Sequence, residues 1–423
     1  MARLVKTLSP DVVSLGRGPA TTYCLRRHVV GLAREVPIYE ILEDGGAREL
    51  GILHPVHPSG YYVTSNASDF PSGASRDLPF YLFDLRPTGF LGRLIPRQYP
   101  DLGFPEDIRV WSGDTTLRYL ARRGWSQTGS LILGDEAFQL HLVHVADPLD
   151  GVEYSARAAE YSRRASDVLN LGVPGSSAAG EQPKFLATVM PEQRAVLVKF
   201  SPLLEDPLAE RIADLLVAEH LALATLRDFG QEAARSELLM SGNRVFLEVE
   251  RFDRTPRGGR RGLISLLALD GHYVGGLGTW TESIEALARL GVAPKEAILT
   301  VKWLETFSQL IANSDRHFAN LSLLASGTRV TAVAPAYDVS PMLYAPVANQ
   351  LVERSFEPPH PSPRLRDCYG EVCVAAEDFW RRVAVDERIS REFRRIAAEN
   401  ATKVAKLAAL AARMPKATSE RKN

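Results

Sequence analysis

Asp315 and Asn320 stand five positions apart in the stretch NSDRHFANLSLL, residues 313–324. Asn313 and His317 accompany them, between an amphipathic run, VKWLETFSQLIA, and a short apolar segment. Polar groups set between segments that read as buried are costly unless they are paired or used. The D-x-x-x-x-N spacing offers a carboxylate that can take a hydroxyl proton and an amide oxygen that can hold a metal ion, which is what phosphoryl transfer to a hydroxyl requires. A further acid, Asp338 in PAYDVSPM, follows Asn320 by 18 residues. The intervening NLSLL and TRVTAVA read as a β-hairpin that would bring Asp338 back beside Asn320. Taken singly, Asp315 reads equally as a helix cap and Asp338 as a turn residue. His317 reads either as structural or as the group that orients Asp315 through a ring N–H.

Phosphoryl transfer also needs a cation on the phosphates and backbone donors over them. The positive charge of this chain is written almost entirely as arginine. Between Lys6 and Lys295 the only lysines are Lys184 and Lys199. A lysine kept among arginines suggests a requirement for a compact ammonium. Lys199 falls inside AVLVKFS, residues 195–201, which reads as a buried strand. Alternation puts Val198 and Phe200 on one face and Leu197 and Lys199 on the other. A lysine there wants an anion, and the next helix offers Glu210 or Glu219. Upstream, GSSAAGEQPKF from Gly175 is a small-residue loop whose N–H groups could approach phosphate oxygens; it is not a Walker A loop.

These residues need elements to hold them. The chain opens with VVSLGRGPATTYCLRR, a hairpin like the final wing of a winged helix. VPIYEILED, ELGILHPV and GYYVTS read as strands with turns at Asp44-Gly45-Gly46 and Pro58-Ser59-Gly60. PFYLFDLRPTGFLGRLIPRQYP reads as helical in part, and LILGDEAFQLHLV, residues 131–143, as another hairpin. VEYSARAAEYSRRASDVLN reads as a helix, residues 206–228 as a strong helix, and SELLMSGNRVFLEVERFDR as a hairpin turning at Ser241-Gly242-Asn243. Beyond TPRGGRRG the pattern is mainly helical to about residue 415. The divisions expected are a wing-like remnant over 1–30, an α+β accessory subdomain over 31–145, a nucleotide-binding lobe over 146–255, a helical lobe over 256–415 and a frayed tail over 416–423.

With 423 residues, 45% hydrophobic and 24% charged, the chain is long enough for several subdomains with a substantial core. A formal net charge of -1 excludes a global polycation for nucleic acid or membrane. No apolar run is long enough to span a bilayer and no signal peptide is evident, which points to the cytoplasm. Cys24, Cys368 and Cys373 are too few for a disulfide framework and read as reduced packing thiols.

The set SSAAGEQPKF, VLVKF, FLEVERFDR, IANSDRHFANLSLL and PAYDVSPM resembles the HipA-type serine/threonine protein kinases, toxins of bacterial toxin–antitoxin systems. DLPFYLFDLRPTGFLGR together with GSSAAGEQPKF is more similar to the HipH (YjjJ) branch. The resemblance implies a two-lobed protein-kinase-like α+β fold with a β-rich N-terminal accessory subdomain and a mainly helical C-terminal lobe. It implies ATP and Mg²⁺ as cofactors, with Lys199 on the ATP phosphates and the backbone at Glu250 and Phe252 on the adenine. Ser177, Ala178, Ala179 and Gly180 become the phosphate loop, with Lys184 steadying it or touching phosphate. Asp315 becomes the catalytic aspartate with His317 beside it, and Asn320 and Asp338 the magnesium ligands. Ser177, or the adjoining Ser176, becomes the serine that some members autophosphorylate. Glu181 departs from the family's usual S-x-x-G-A-Q loop, and a carboxylate near phosphates is repulsive unless it points away or binds metal. The partners implied are a protein substrate, of which an aminoacyl-tRNA synthetase is the family's example, and an antitoxin. The wing-like remnant alone leaves DNA binding unsupported.

The expectation is therefore an ATP- and Mg²⁺-dependent Ser/Thr protein kinase. Two alternatives stand beside it. One is a DNA-binding regulator using the wing and Arg257, Arg260 and Arg261; the other is a pseudokinase scaffold that binds ATP without transfer, against which the intact Asp315, Asn320 and Asp338 argue.

Overall fold

The structure is a computed structural model and describes residues 11–15, 21–171, 182–276, 278–360, 365 and 367–411. Strands β1 (Val12–Leu15) and β2 (Thr22–Leu25) pair antiparallel, as the opening hairpin pattern predicts. A two-stranded ribbon is marginal alone; here Val13 packs on Val56 and Tyr62 of the sheet that follows.

That sheet contains β3 (Val36–Ile41), β4 (Ala47–Pro55), β5 (Tyr61–Ser65), β6 (Gly73–Ser75) and β7 (Leu131–Leu133), in the order β6-β5-β4-β3-β7. Its turns fall where glycine was expected. Gly45 and Gly60 have φ of +88° and +102°, and a Cβ on either would lie 2.5 Å from a backbone oxygen. Between β6 and β7 come a 3₁₀ turn (Phe80–Leu85), α1 (Gly89–Gln98) and α2 (Gly113–Arg123). Residues 131–143 do not form the expected hairpin. Gly134, at φ +75°, ends β7, and α3 (Asp135–Ala146) begins with Asp135 and Glu136 at its positively polarised N-terminus. The continuous apolar Leu-Ile-Leu is buried on both sides, so alternation gave no true strand signal there.

The second sheet has the order β11-β12-β10-β9-β8. Its members are β8 (Gly151–Glu153), β9 (Lys184–Met190), β10 (Arg194–Phe200), β11 (Ser236–Ser241) and β12 (Arg244–Glu250). Val152 and Glu153, expected within a helix, belong to β8, and α4 (Arg157–Asn170) starts later. Tyr161 of α4 packs with Val196, Val198, Phe200 and Phe246 on one face of the sheet. The buried Glu248 on that face accepts from Tyr161 Oη at 2.6 Å and Arg157 Nη1 at 2.9 Å. On the opposite side, α5 (Pro207–Asp228) contacts β10, β11 and β12. Its start is set by Pro207 at the first turn and by Asp206, whose carboxylate accepts from Ala209 N at 2.8 Å.

A turn at Arg251–Arg254 leads out of the sheet, closed by Arg254 N donating to Arg251 O at 3.0 Å. Short β13 (Arg254–Thr255) and β14 (Gly259–Arg260) pair next. Then come β15 (Gly262–Ser265), α6 (Leu266–Tyr273), α7 (Trp280–Arg289), α8 (Ala297–Leu310), β16 (Ser322–Ser326) and β17 (Arg329–Val333). Helices α9 (Tyr369–Val385) and α10 (Arg391–Ala411) complete this lobe. Trp380 on α9 is fully buried and donates to Leu310 O at 3.0 Å, joining α9 to the end of α8. Cys24, Cys368 and Cys373 are free thiols. Among the described residues no helix is long and apolar enough to cross a membrane.

Asp206→Ala should lower the unfolding free energy by about 1 kcal/mol, the worth of one N-cap. Urea unfolding checks it: the midpoint should fall at an unchanged slope, and an unchanged midpoint would show that the cap carries nothing.

Candidate active site

A cleft of about 1750 Å³ runs between the second sheet and the helical lobe and on along the first sheet unit. On its sheet side lie Lys184, Lys199 and Glu219; on its lobe side lie Asp315, His317, Asn320 and Asp338. Glu250 and Phe252 line it where the two lobes join.

Lys199 is placed by alternation in β10. Its neighbours Val198 and Phe200 go into the packed face under α4, and Lys199 turns to the cleft with Leu197. The ammonium is 4% exposed and lies 2.7 and 2.8 Å from the two carboxylate oxygens of Glu219, itself 4% exposed. Of the two acids offered by α5, then, Glu219 is the partner. Lys199 Nζ also donates to Asp338 Oδ1, across the cleft from the other lobe. Burial alone would depress the Lys199 pKa, but Asp338 and Glu219 overcome it and raise it. Burial works to raise Asp338, yet Lys199 and Lys184 hold its carboxyl well below the usual range.

Lys184 faces Lys199 directly in the β9–β10 pairing and so shares the cleft face. Two ammoniums on adjacent strands repel each other, and Glu219 and Asp338 offset that charge. An anion entering between the strands and the lobe meets both cations.

The NSDRHFAN segment explains its own polarity. Helix α8 gives way at Ala312, which adopts φ +59°. Asn313, 2% exposed, accepts from Asp315 N at 2.9 Å through its side chain. It is a loop-fixing residue, and of the four polar residues it alone is buried. Asn320 Nδ2 donates to Asp315 O at 2.8 Å, which turns the Asn320 carbonyl oxygen the other way, and Asn320 N bonds His317 O at 2.9 Å. One short loop thus locks the spacing of Asp315 and Asn320. Both their side chains reach the cleft. His317 Nε2 lies 3.6 Å from Asp315 Oδ1, with the two side chains 55% and 48% exposed. That is an ion-pair distance, longer than the ring N–H hydrogen bond expected, because neither side chain is packed tightly enough to be held at contact.

Asp338 returns to the cleft by the β16–β17 hairpin, as its spacing predicts. It sits at φ +57°, a conformation costing a non-glycine residue about 1–3 kcal/mol. Tyr337 Oη bonds Ala319 O at 2.8 Å and Ser322 Oγ at 2.7 Å, tying the Asp338 segment to the Asn320 loop. At the junction, Glu250 N bonds Arg235 O at 2.8 Å and Arg251 N bonds Ala195 O at 2.9 Å. The Phe252 ring rests on Tyr337 at a centroid distance of 5.8 Å. Leu186, Leu197 and Val249 give this end of the cleft apolar walls.

Asn320 and Asp338 offer hard oxygen donors suited to Mg²⁺. Among the described residues no group of three or more His, Cys, Asp or Glu could hold a metal, so phosphate oxygens and water would have to complete the shell. Ser176, Ser177, Ala178, Ala179 and Gly180 lie outside the described residues, as does Glu181.

Arg257, Arg260 and Arg261 do not form a basic face. Arg260 is 2% exposed and donates to Trp125 O at 2.5 Å; Arg261 pairs with Glu43 at 3.0 Å; Arg257 stands exposed. Sequence reading passed over Asp84, whose carboxylate accepts from Ser265 N and Oγ, each at 2.6 Å, beside the cleft. Its signal was a lone acid within the aromatic run FYLFDL.

Residues 32–142 match the family model of the YjjJ-like toxin middle domain, and residues 176–413 that of the HipA-like C-terminal domain. The toxin YjjJ of Escherichia coli K12 is 34% identical over 411 residues, covering 95% of this chain and 91% of that protein. Among solved structures, HipA of Shewanella oneidensis MR-1, determined with HipB and operator DNA, superposes with a TM-score of 0.54 at 17% identity, covering 88% of this chain and 96% of that one. The proinflammatory kinase CtkA of Helicobacter pylori shares 12% identity at a TM-score of 0.40, over 55% of this chain and 95% of its own.

The Lys199 contacts give a pH-dependent prediction. Asp338, depressed on folding, contributes stability above its unfolded value near 4, and this is lost as pH falls through its folded value; Lys199, raised, contributes throughout the range below its unfolded value of ~10.4. Lys199→Met should therefore destabilise by about 3 kcal/mol at pH 7, where Glu219 is left buried without its cation. The loss should shrink by pH 4 as that carboxylate takes a proton. Urea unfolding at both pH values checks this; an equal loss at both would remove the ion pairs from the explanation.

Proposed function

The chain belongs to the HipA-like toxin family, and from that footing we propose that it is a serine/threonine protein kinase that uses ATP and Mg²⁺. The observation carrying this reading is the Lys199 ammonium, held between Glu219 of the sheet lobe and Asp338 of the helical lobe. Asp315 and Asn320 line the same cleft.

The apolar walls at Leu186, Leu197 and Val249 receive the base, and the backbone at Glu250 and Phe252 reads its edge. The Phe252 N–H has no backbone acceptor among the described residues and is a donor for that edge. Lys199 and Lys184 bind the phosphates; Ser177, Ala178, Ala179 and Gly180 are assigned to the phosphate loop by the family resemblance alone. Asn320 and Asp338 would hold Mg²⁺, which when bound neutralises phosphate charge as the bond to the leaving oxygen lengthens. Asp315 orients the acceptor Ser/Thr hydroxyl and takes its proton, with His317 one ion-pair distance away. Lys199 holds charge on the departing diphosphate. Catalysis here is positioning and electrostatics, with no covalent intermediate on the enzyme.

Autophosphorylation at Ser177 or Ser176 fits a serine-bearing phosphate loop. An antitoxin partner and a cytoplasmic protein substrate belong to the same reading.

Asp315→Asn should abolish phosphate incorporation from labelled Mg·ATP while leaving ATP binding by calorimetry within about twofold, since the side chain meets the acceptor and not the nucleotide. Full transfer by that variant would remove Asp315 from the chemistry; full binding with no transfer by the wild-type chain would make it a scaffold.

A further inference from the structure

The turn that joins the lobes is gripped from outside by the first sheet unit. Asp253, at the corner of the Arg251–Arg254 turn, is 4% exposed and accepts from both flanking arginines: Arg251 Nη2 at 2.9 Å and Arg254 Nη1 at 2.7 Å. Its third donor is Gly129 N, at 2.9 Å, from the loop between α2 and β7. The arginines reach back into that loop. Arg251 donates to Ser126 O at 3.1 Å; Arg254 donates to Gln127 O at 2.6 Å and Gly129 O at 3.1 Å. Arg260 joins them at Trp125 O.

This cluster brackets one carboxylate between two guanidinium groups, with that of Arg260 nearby. Carbonyls of the turn and loop that follow α2 accept from all three arginines. A surface clasp would use fewer charges and less burial. This one holds the residue between Glu250 and Phe252 by its side chain, while its peptide groups are held by Arg251 N donating to Ala195 O at 2.9 Å and Arg251 O accepting from Arg254 N at 3.0 Å. Trp125, Ser126 and Gln127 themselves line the cleft.

We propose that the 125–129 loop, with Arg251, Asp253 and Arg254, is a positioning device for the nucleotide base: the accessory sheet unit completes the adenine end of the kinase cleft. The inference rests on the nucleotide reading above. Arg251, Asp253 and Arg254 are positioning residues that act through the backbone of Glu250 and Phe252. The same unit braces the metal-binding hairpin, since Glu40 accepts from Gly327 N at 2.8 Å in the β16–β17 turn. The first unit therefore touches both the lobe junction and the turn of the hairpin that returns Asp338.

The test uses the full chain, with calorimetric titration of Mg·ATP and, separately, Mg·tripolyphosphate. Arg254→Gln opens the clasp from the turn. Gly129→Ala opens it from the loop, because Gly129 has φ +81° and a Cβ there would lie 3.2 Å from Leu263 N. Arg254→Lys keeps the charge and loses the fork, as a milder third variant. Arg254→Gln and Gly129→Ala should bind ATP about tenfold more weakly, the loss of one good hydrogen bond to the base, Arg254→Lys should fall between them and wild type, and all three should bind tripolyphosphate within about twofold of wild type. ATP affinity unchanged in folded variants would overturn the inference. Equal loss for both ligands would also overturn it, leaving the clasp a support of the fold alone. A wild-type chain that binds neither ligand would overturn the nucleotide reading itself, and the inference with it.

Discussion

A buried ammonium is the constraint on which this cleft depends. Lys199 is almost without solvent, and an uncompensated charge there would cost several kcal/mol. Glu219, from the helix after its strand, supplies one counter-charge. Asp338, from the far end of the chain, supplies the other. The lysine therefore does more than bind anions: it draws the two lobes to a fixed separation. Asp338 accepts a left-handed backbone to reach it, and Tyr337 anchors that strained residue to the Asn320 loop. A triphosphate with its metal has the charge to take over what the lysine and the two acids now do for one another.

The second organising feature is the arginine chemistry around the lobe junction. The cleft places lysine, a compact point charge, at Lys184 and Lys199. Arginine, a planar fork, reaches the carbonyls of the 125–129 loop from Arg251, Arg254 and Arg260. Around this site the two kinds of cation are separated by task. Because the arginine contacts join residues 125–129 to the turn at 251–254, the segments matched separately as middle domain and C-terminal domain meet at the edge of one site.

Much of this was legible in the sequence because it was local. Alternation placed Lys199 on the cleft face, the D-x-x-x-x-N spacing placed Asp315 and Asn320 on one loop, and the NLSLL/TRVTAVA hairpin returned Asp338. What stayed hidden was long-range. Glu219 could not be told from Glu210 without the register of α5 on the sheet. Arg260 was grouped with Arg257 and Arg261 as a basic cluster because nothing in its neighbourhood announces Trp125 O, 135 residues away. The strand-to-helix switch at Gly134 was missed because a buried Leu-Ile-Leu lacks any period. His317 was rightly placed beside Asp315, but its distance depends on side-chain freedom at an exposed site, which residue type does not encode.

The account turns on whether the lysine and the two acids receive a magnesium nucleotide. A crystal structure of the full chain with Mg²⁺ and a non-hydrolysable ATP analogue tests this most directly. The account predicts the triphosphate between Lys199 and Lys184, the metal on Asn320 and Asp338, and the base against Glu250 and Phe252. An analogue bound elsewhere, with the Lys199–Asp338 contact undisturbed, would contradict it.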